Sequence, residues 1–250
     1  MALRIPTAAD LLELWDAVRH LSMARRAAAL FALAVPTLDA GAVADVPLGR
    51  RDATLLAWRA GLFGDQIEGL AHCPRCGETV EVGFSAKDLG IEADDETTGG
   101  GIIADACEVG EWQVGYRVPT CGDAIALADA PVADGHTLLA RCVRMATRDG
   151  LPVGSDALPD AVLDALARGI AEADPHADVL LDVTCPACTH RWSPPLDVAS
   201  YVWREVDAWA RRLLQDVVVL ARALGWAEAD ILAMTPQRRG DYLDLVAGCA

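Results

Sequence analysis

Apolar residues recur at steps of three and four along most of the chain and at steps of two in a few short stretches. This pattern predicts a mostly helical α+β protein with small β elements. Thr7-Ala8-Ala9-Asp10 has the form of a capping box, and Leu11, Leu12, Leu14, Trp15 and Val18 follow at helical spacing. A second helix is expected from Met23 to about Leu33, ending before Pro36, and a third from Arg50 to the glycines at 61 and 64. The texture then alternates: Gln66 to Ala71 and Thr79 to Phe84 read as strands, with another at Trp112 to Val118.

Further along, Pro119-Thr120 opens a helical stretch. Two helices are expected between His136 and Ala173, separated at Asp149-Gly150-Leu151-Pro152, and a strand at Asp178 to Thr184. Asp94 to Gly101 is polar and glycine-rich, and reads as a loop.

The strongest helical signal lies near the C-terminus. Val198, Val202, Val206, Trp209, Leu213, Val217, Leu220 and Leu224 form one stripe on a helix from Asp197 to Leu224, roughly 40 Å long at 1.5 Å per residue. Leu214, Val218 and Ala221 widen the stripe, so this end is expected to be covered on more than one side. Gly225 stops the helix, Ala227 to Met234 forms a short one, and Thr235-Pro236 starts the last. The stripe reads first as a core helix. A sharper reading gives part of it to a partner protein, with Trp203, Trp209, Trp226 and Tyr242 as aromatic anchors. Arg204, Arg211, Arg212 and Arg222 beside Glu205, Asp207 and Asp216 read as a solvated face laced by i,i+4 pairs.

Composition narrows the function classes. Among 250 residues, 37 acids outweigh 21 basic residues, for a formal charge of -16. A backbone-reading nucleic-acid binder needs a positive surface, so DNA and RNA are not expected partners, whereas basic protein surfaces remain compatible. Asp10, Glu13 and Asp16 interrupt the first twenty residues where a signal peptide needs an apolar segment, and Ala27 to Val35 is too short to span a bilayer. A cytoplasmic, reducing setting and no membrane association are therefore expected. No G-x-S-x-G, H-E-x-x-H or phosphate-loop sequence occurs; Gly99 to Gly101 lacks the lysine of a P-loop. The reading is of a protein without enzymatic activity or a small-molecule substrate.

Two cysteine hooks carry the chemistry. Cys73-Pro74-Arg75-Cys76 and Cys185-Pro186-Ala187-Cys188 each present two thiols at C-x-x-C spacing. Four such sulfurs can close a tetrahedral structural zinc site with no position left for substrate. The sequence separation of 109 from Cys76 to Cys185 exceeds the spacer of a compact ribbon. Loop-closure cost rises only logarithmically with length, so an inserted segment is tolerable. The second hook departs from the first in carrying Thr189 where the first has Gly77, and His72 or His190 could replace a cysteine ligand. Two metal-free hairpins and a thioredoxin-like redox pair are the competing readings. Cys121 and Cys142 read as small core residues, while Cys107 and Cys249 show no pairing pattern.

Several blocks also resemble a known family. They are Val46 to Leu56, Leu62-Phe63-Gly64, the first hook, Tyr116 to Thr120, Thr184 to Cys188, Trp203 to Leu214 and, most distinctively, Leu224 to Leu243. Together they look like the T4-type phage baseplate hub and hub-assembly chaperone proteins, including versions in phage-like contractile injection systems. The resemblance implies a non-enzymatic role in forming or assembling the baseplate of a contractile tail. It also implies other baseplate, hub or spike proteins as partners, and assembly in the cytoplasm with incorporation in the tail particle as one outcome. The family's smaller phage members are not evidently zinc proteins, so the metal rests on the hooks.

The expected organisation is a helical region over 1–65 and a zinc-ribbon region over 66–196, with hairpins at 66–86 and 178–196 and an inserted helical segment at 119–177. A C-terminal module of long helix and helical hairpin completes it over 197–250. The runner-up function is a zinc-ribbon adaptor in transcription or protein quality control; a thiol oxidoreductase is a third.

Overall fold

Residues 3–89, 104–131 and 134–248 are described by the computed structural model. Helices α1 (Ala8–Val18), α2 (Met23–Ala34), α3 (Ala40–Ala44) and α4 (Leu48–Phe63) lead into strands β1 (Gln66–His72) and β2 (Thr79–Ser85). After β3 (Ala104–Val109) and β4 (Trp112–Arg117) come α5 (Cys121–Ala128), α6 (Gly135–Cys142), β5 (Val143–Arg148), β6 (Leu151–Pro152) and α7 (Asp160–Ala173). The chain ends with β7 (Val183–Thr184), β8 (Arg191–Trp192), α8 (Val198–Leu224), α9 (Glu228–Leu232) and α10 (Pro236–Gly248). The α+β class is as expected. The polar stretch read as a loop at Asp94 to Gly101, and Cys249, lie outside the described residues.

The main core forms where α1, α2, α4 and the first two-thirds of α8 meet. Leu30, Phe31, Leu55, Leu56, Trp58, Val202 and Val206 are all fully buried, and each such side chain is worth about 1.5–3 kcal/mol of transfer free energy. Polar ties fix the register of the helices. The Trp15 indole donates to Asp207 at 2.8 Å, joining α1 to α8. The Arg59 guanidinium grips both oxygens of Glu205 at 2.6 and 2.8 Å, joining α4 to α8. Glu205 therefore turns toward α4 rather than forming an ion pair along its own helix. Of the expected i,i+4 pairs, Arg211–Asp207 forms at 2.9 Å, while Asp216 meets Arg239 of α10 at 3.1 Å.

The segment 119–177 departs from the helical expectation. Asp149-Gly150 is a two-residue hairpin turn with φ of 50° and 76°, the positive values that the favoured hairpin turn demands. It therefore joins β5 to β6 instead of separating two helices. Val143 to Arg148 instead pairs with β4 in an antiparallel ladder, with Ala146 buried and Met145 exposed. Strand β3, likewise not expected from the sequence, completes an antiparallel sheet of order β3-β4-β5-β6. One face of that sheet packs on α7 through Val114, Ala146, Leu158 and Val162. Short α3 was also unexpected; its start is capped by Asp39, which accepts from the Ala42 N–H at 2.8 Å.

Both ends of the inserted segment are stitched to the start of α4. Leu48 N–H donates to Pro119 and Cys121 N–H to Val46, at 3.0 and 2.9 Å. At the return, Asp174 accepts from the Gly49 N–H at 2.9 Å. A Cβ at Gly49 would stand 1.9 Å from Asp174 Oδ1 and 2.7 Å from the Ala177 nitrogen, so only glycine lets the segments meet. Beside the exit, Asp123 is buried and accepts from Thr120 N–H at 3.0 Å, from Arg141 at 3.1 Å and from the Arg117 guanidinium. Burial alone would raise its pKa, but the Arg117 and Thr120 bonds outweigh that and hold it below the usual carboxylate range.

Beyond Leu214 the long helix leaves the main core and forms a second cluster, in which Val217, Leu220 and Ile231 pack with Trp226, Tyr242, Leu243 and Val246. Gly225 ends α8 in the left-handed conformation at φ 71°, as its sequence position foretold. The expectation that Val218 widens a buried stripe is corrected: it is 53% exposed, and Leu224 is 41% exposed, because α9 and α10 cover one side of the helix only. No helix among the described residues is long and apolar enough to cross a membrane.

Two outcomes follow. Gly49→Ala should cost about 1–3 kcal/mol by forcing Asp174 and the Ala177 backbone away, measured as a lower urea midpoint at unchanged m-value. Asp123 has a lower pKa folded than unfolded, so it stabilises the fold above the unfolded value of about 3.9, and that contribution fades as pH falls through the folded value. Asp123→Asn should cost about 2–3 kcal/mol at pH 7 and much less at acid pH, shown by urea titrations at both.

Candidate metal centre

Each hook is a tight turn at the end of a two-stranded ribbon. In the first, β1 and β2 pair antiparallel from Gln66↔Ser85 to His72↔Thr79. Beyond the last pair, Cys73 N–H donates to Glu78 and Gly77 N–H donates back to Cys73, both at 2.9 Å. The second hook repeats these bonds, from Cys185 N–H to His190 and from Thr189 N–H to Cys185, again both at 2.9 Å. Its ladder is longer than the two residues of β7 suggest. Leu196 N–H to Val179 and Leu181 N–H to Pro194 extend the pairing through most of the expected 178–184 strand, in irregular form.

Both turns need a left-handed residue one position after the second cysteine. Gly77 supplies it at φ 78° and Thr189 at φ 58°. A β-branched residue is costly there; the Thr189 hydroxyl donates to the Cys188 carbonyl at 2.7 Å and holds the turn. The apparent mismatch between the hooks at this position is thus one backbone geometry reached by two residues.

The fold brings the hooks face to face. The four Sγ atoms of Cys73, Cys76, Cys185 and Cys188 all lie within 4.8 Å of one another. Across the hooks, Cys73 and Cys188 are 3.7 Å apart, and Cys76 and Cys185 are 3.6 Å apart. Sulfurs bound at about 2.3 Å around one tetrahedral metal would stand about 3.8 Å apart. The donor set and spacing therefore fit a metal ion. The cluster contains no histidine: His72 is exposed beside the Thr79 hydroxyl at 3.3 Å, and His190 stacks on Trp192.

Beneath the sulfurs, Val80 and Val183 are buried and Val82, Leu181 and Trp192 pack against them. Cys73 and Cys185 sit inside this apolar layer, and Cys76 faces solvent. Their alternation on either side of the hooks is a signal the sequence carries, though it gained meaning only once the ribbons faced each other. The thiols also compete for charge. At Cys73 burial opposes ionisation, but the N–H groups of Cys76 and Arg75 and the neighbouring thiols bring its pKa down to about 7. At Cys76 the Glu78 N–H favours the thiolate, yet the three neighbouring thiols and burial push it up to about 12. A bound dication removes this competition by stabilising every thiolate at once.

The other described thiols stand apart from this cluster. Cys121 and Cys142 are core residues as expected, with burial pushing each up to about 11. Cys107 is half-buried on β3.

The four aromatic residues of the C-terminal region have different settings. Trp203 is only 5% exposed and lies in the main core under the Arg26 guanidinium, so its ring supplies packing rather than accessible surface. Trp209 is half-buried against the same core. Trp226 and Tyr242 meet edge to face, 4.8 Å between centroids, and hold α10 against the end of α8.

The left-handed turn gives a direct test of the hook geometry. Gly77→Val should destabilise the folded protein by about 1–2 kcal/mol, read as a lower denaturation midpoint, while Thr189→Gly should keep the hook intact.

A search of the curated proteins and one of the solved structures returned no match. A family model described as T4 bacteriophage base plate protein matches residues 34–194. That stretch covers more than half of the sequence and includes both hooks, so the chain belongs to the T4 bacteriophage base plate protein family.

Proposed function

We propose that this protein is a non-enzymatic component or assembly factor of the baseplate of a contractile phage tail or phage-like injection system. In this reading it binds other tail proteins, and a structural zinc ion on Cys73, Cys76, Cys185 and Cys188 pins its two hooks together. The observation that carries it is the convergence of four sulfurs inside a stretch matched by the baseplate family. A four-cysteine shell leaves the metal no open position for water or substrate, which favours architecture over catalysis. Zinc suits this shell because soft thiolates and tetrahedral geometry are its preferred surroundings. The resemblance of residues 224–243 to hub and hub-assembly proteins supports partner contact through the C-terminal module.

Purified protein should contain about one zinc per chain by elemental analysis, and Cys185→Ser less than a tenth of that. Zinc binding by finger peptides is worth about 10 kcal/mol or more, so chelation should open both hooks to protease. Protein that lacks metal yet keeps its hooks protected would overturn the zinc assignment. For the baseplate role, deletion of the gene should abolish intact tails, and the wild-type chain should restore them. Normal tails without the protein would overturn that role.

A further inference from the structure

Where β1 runs beside α8, one edge of the first ribbon has no partner strand among the described residues. The direction of its backbone groups follows from two bonds. Cys73 N–H pairs with Glu78 across the ribbon, so in an antiparallel ladder Ala71, Gly69 and Ile67 also bond inward to β2. Gln66, Glu68, Leu70 and His72 must then point their N–H and C=O groups outward. The Tyr201 hydroxyl confirms the parity by donating to the outward Glu68 carbonyl at 3.1 Å. Among the described residues this is the one bond shown to the outward edge, and Leu70 beside it is 68% exposed.

The edge borders an open cleft of about 870 Å³ whose opposite wall is α8. Arg204 and Arg212, two turns apart on that wall, both line the cleft and are exposed. Among the described residues neither meets a carboxylate: the Arg204 Nε donates to its own helix at the Ser200 carbonyl. Of the acids lining the cleft, Glu205 is held by Arg59 and Asp197 by the start of α8, while Glu68 on β1 is exposed. In a chain of net charge -16, two unpaired arginines facing an unpaired strand edge form a local exception.

We infer that the β1 edge and the α8 arginines together form a strand-addition site for an extended acidic segment of another tail protein. Outward main-chain groups of Leu70 and His72 supply the ladder bonds that such a segment needs. Side chains on one side of the added strand run beside Leu70 and are apolar. Those on the other side face Arg204 and Arg212 and are carboxylates, which supply the charge complement. The inference rests on the baseplate reading for the origin of the segment, while its chemistry stands on the edge and the arginines.

The test uses intact metal-loaded protein and fluorescein-labelled ten-residue peptides, one alternating valine with glutamate and one alternating valine with lysine. Anisotropy should show saturable binding of the glutamate peptide and none of the lysine peptide. The double variant Arg204→Glu, Arg212→Glu alters exposed side chains only and should weaken binding at least tenfold. Leu70→Pro removes an outward N–H without breaking the β1–β2 ladder and should weaken it similarly. In hydrogen exchange, the Leu70 amide should gain protection when the glutamate peptide is added. No binding by the wild type, equal binding of both peptides, or binding untouched by the arginine variant would overturn the proposal. Self-association abolished by Leu70→Pro would also overturn it, by assigning the edge to a second copy. Because these measurements need no tail particle, their failure leaves baseplate membership standing, and failed tail complementation leaves the peptide result standing.

Discussion

The two hooks can face each other only because the segment between them leaves and re-enters the helical core at one place. Gly49, Pro119 and Asp174 meet at the first turn of α4. Closing a loop of 109 positions costs roughly 2 kcal/mol more than closing one of fifteen, a modest sum that local contacts can offset. The stitches at α4 do so before any sulfur is considered. They turn a long excursion into a side loop with fixed ends, and the second ribbon then continues from Ala177 toward the first with little freedom left. The buried Asp174 carboxylate, pushed upward by burial in spite of the Gly49 N–H, shows that this joint carries an electrostatic cost of its own.

From that joint the rest of the architecture follows in layers. The α1–α2–α4–α8 core holds the base of the first ribbon through Ile67 and Phe84, and α8 starts directly after the second ribbon. Both hooks therefore hang from the same set of helices, and their cysteines share one small apolar floor. The four-stranded sheet and α7 occupy the excursion without contributing to the thiol cluster.

Much of this was legible in the residues. The C-x-x-C spacing announced the hooks, the capping box at Thr7 set the first helix, and Gly225 marked the end of the longest one. What escaped reading was set by distance or by ambiguity. Val143 to Arg148 continues the helical α6 without a breaker, so the helix period seemed to run on, and only the sheet partner β4 decides for a strand. Asp-Gly at 149–150 fits an interhelical break as well as a hairpin turn, and the pairing of β5 with β6 decides for the turn. The Asp174 cap on α4 and the turn of Glu205 toward α4 are long-range pairings that no local pattern encodes. Thr189 concealed its equivalence to Gly77 because residue identity suggests extended backbone, whereas the hook geometry imposes the left-handed one.

One unbroken helix, α8, passes through both the main core and the C-terminal cluster. Its 27 residues make it a ruler of roughly 40 Å with a fixed angular phase. Adding a single residue between Leu214 and Val217 would shift the distal cluster by about 1.5 Å and swing it by about 100° around the axis. Anything seated on α9 and α10 is thereby indexed in distance and azimuth to the cysteine end of the molecule, so insertions in this helix are geometrically far more disruptive than longer ones in the loops.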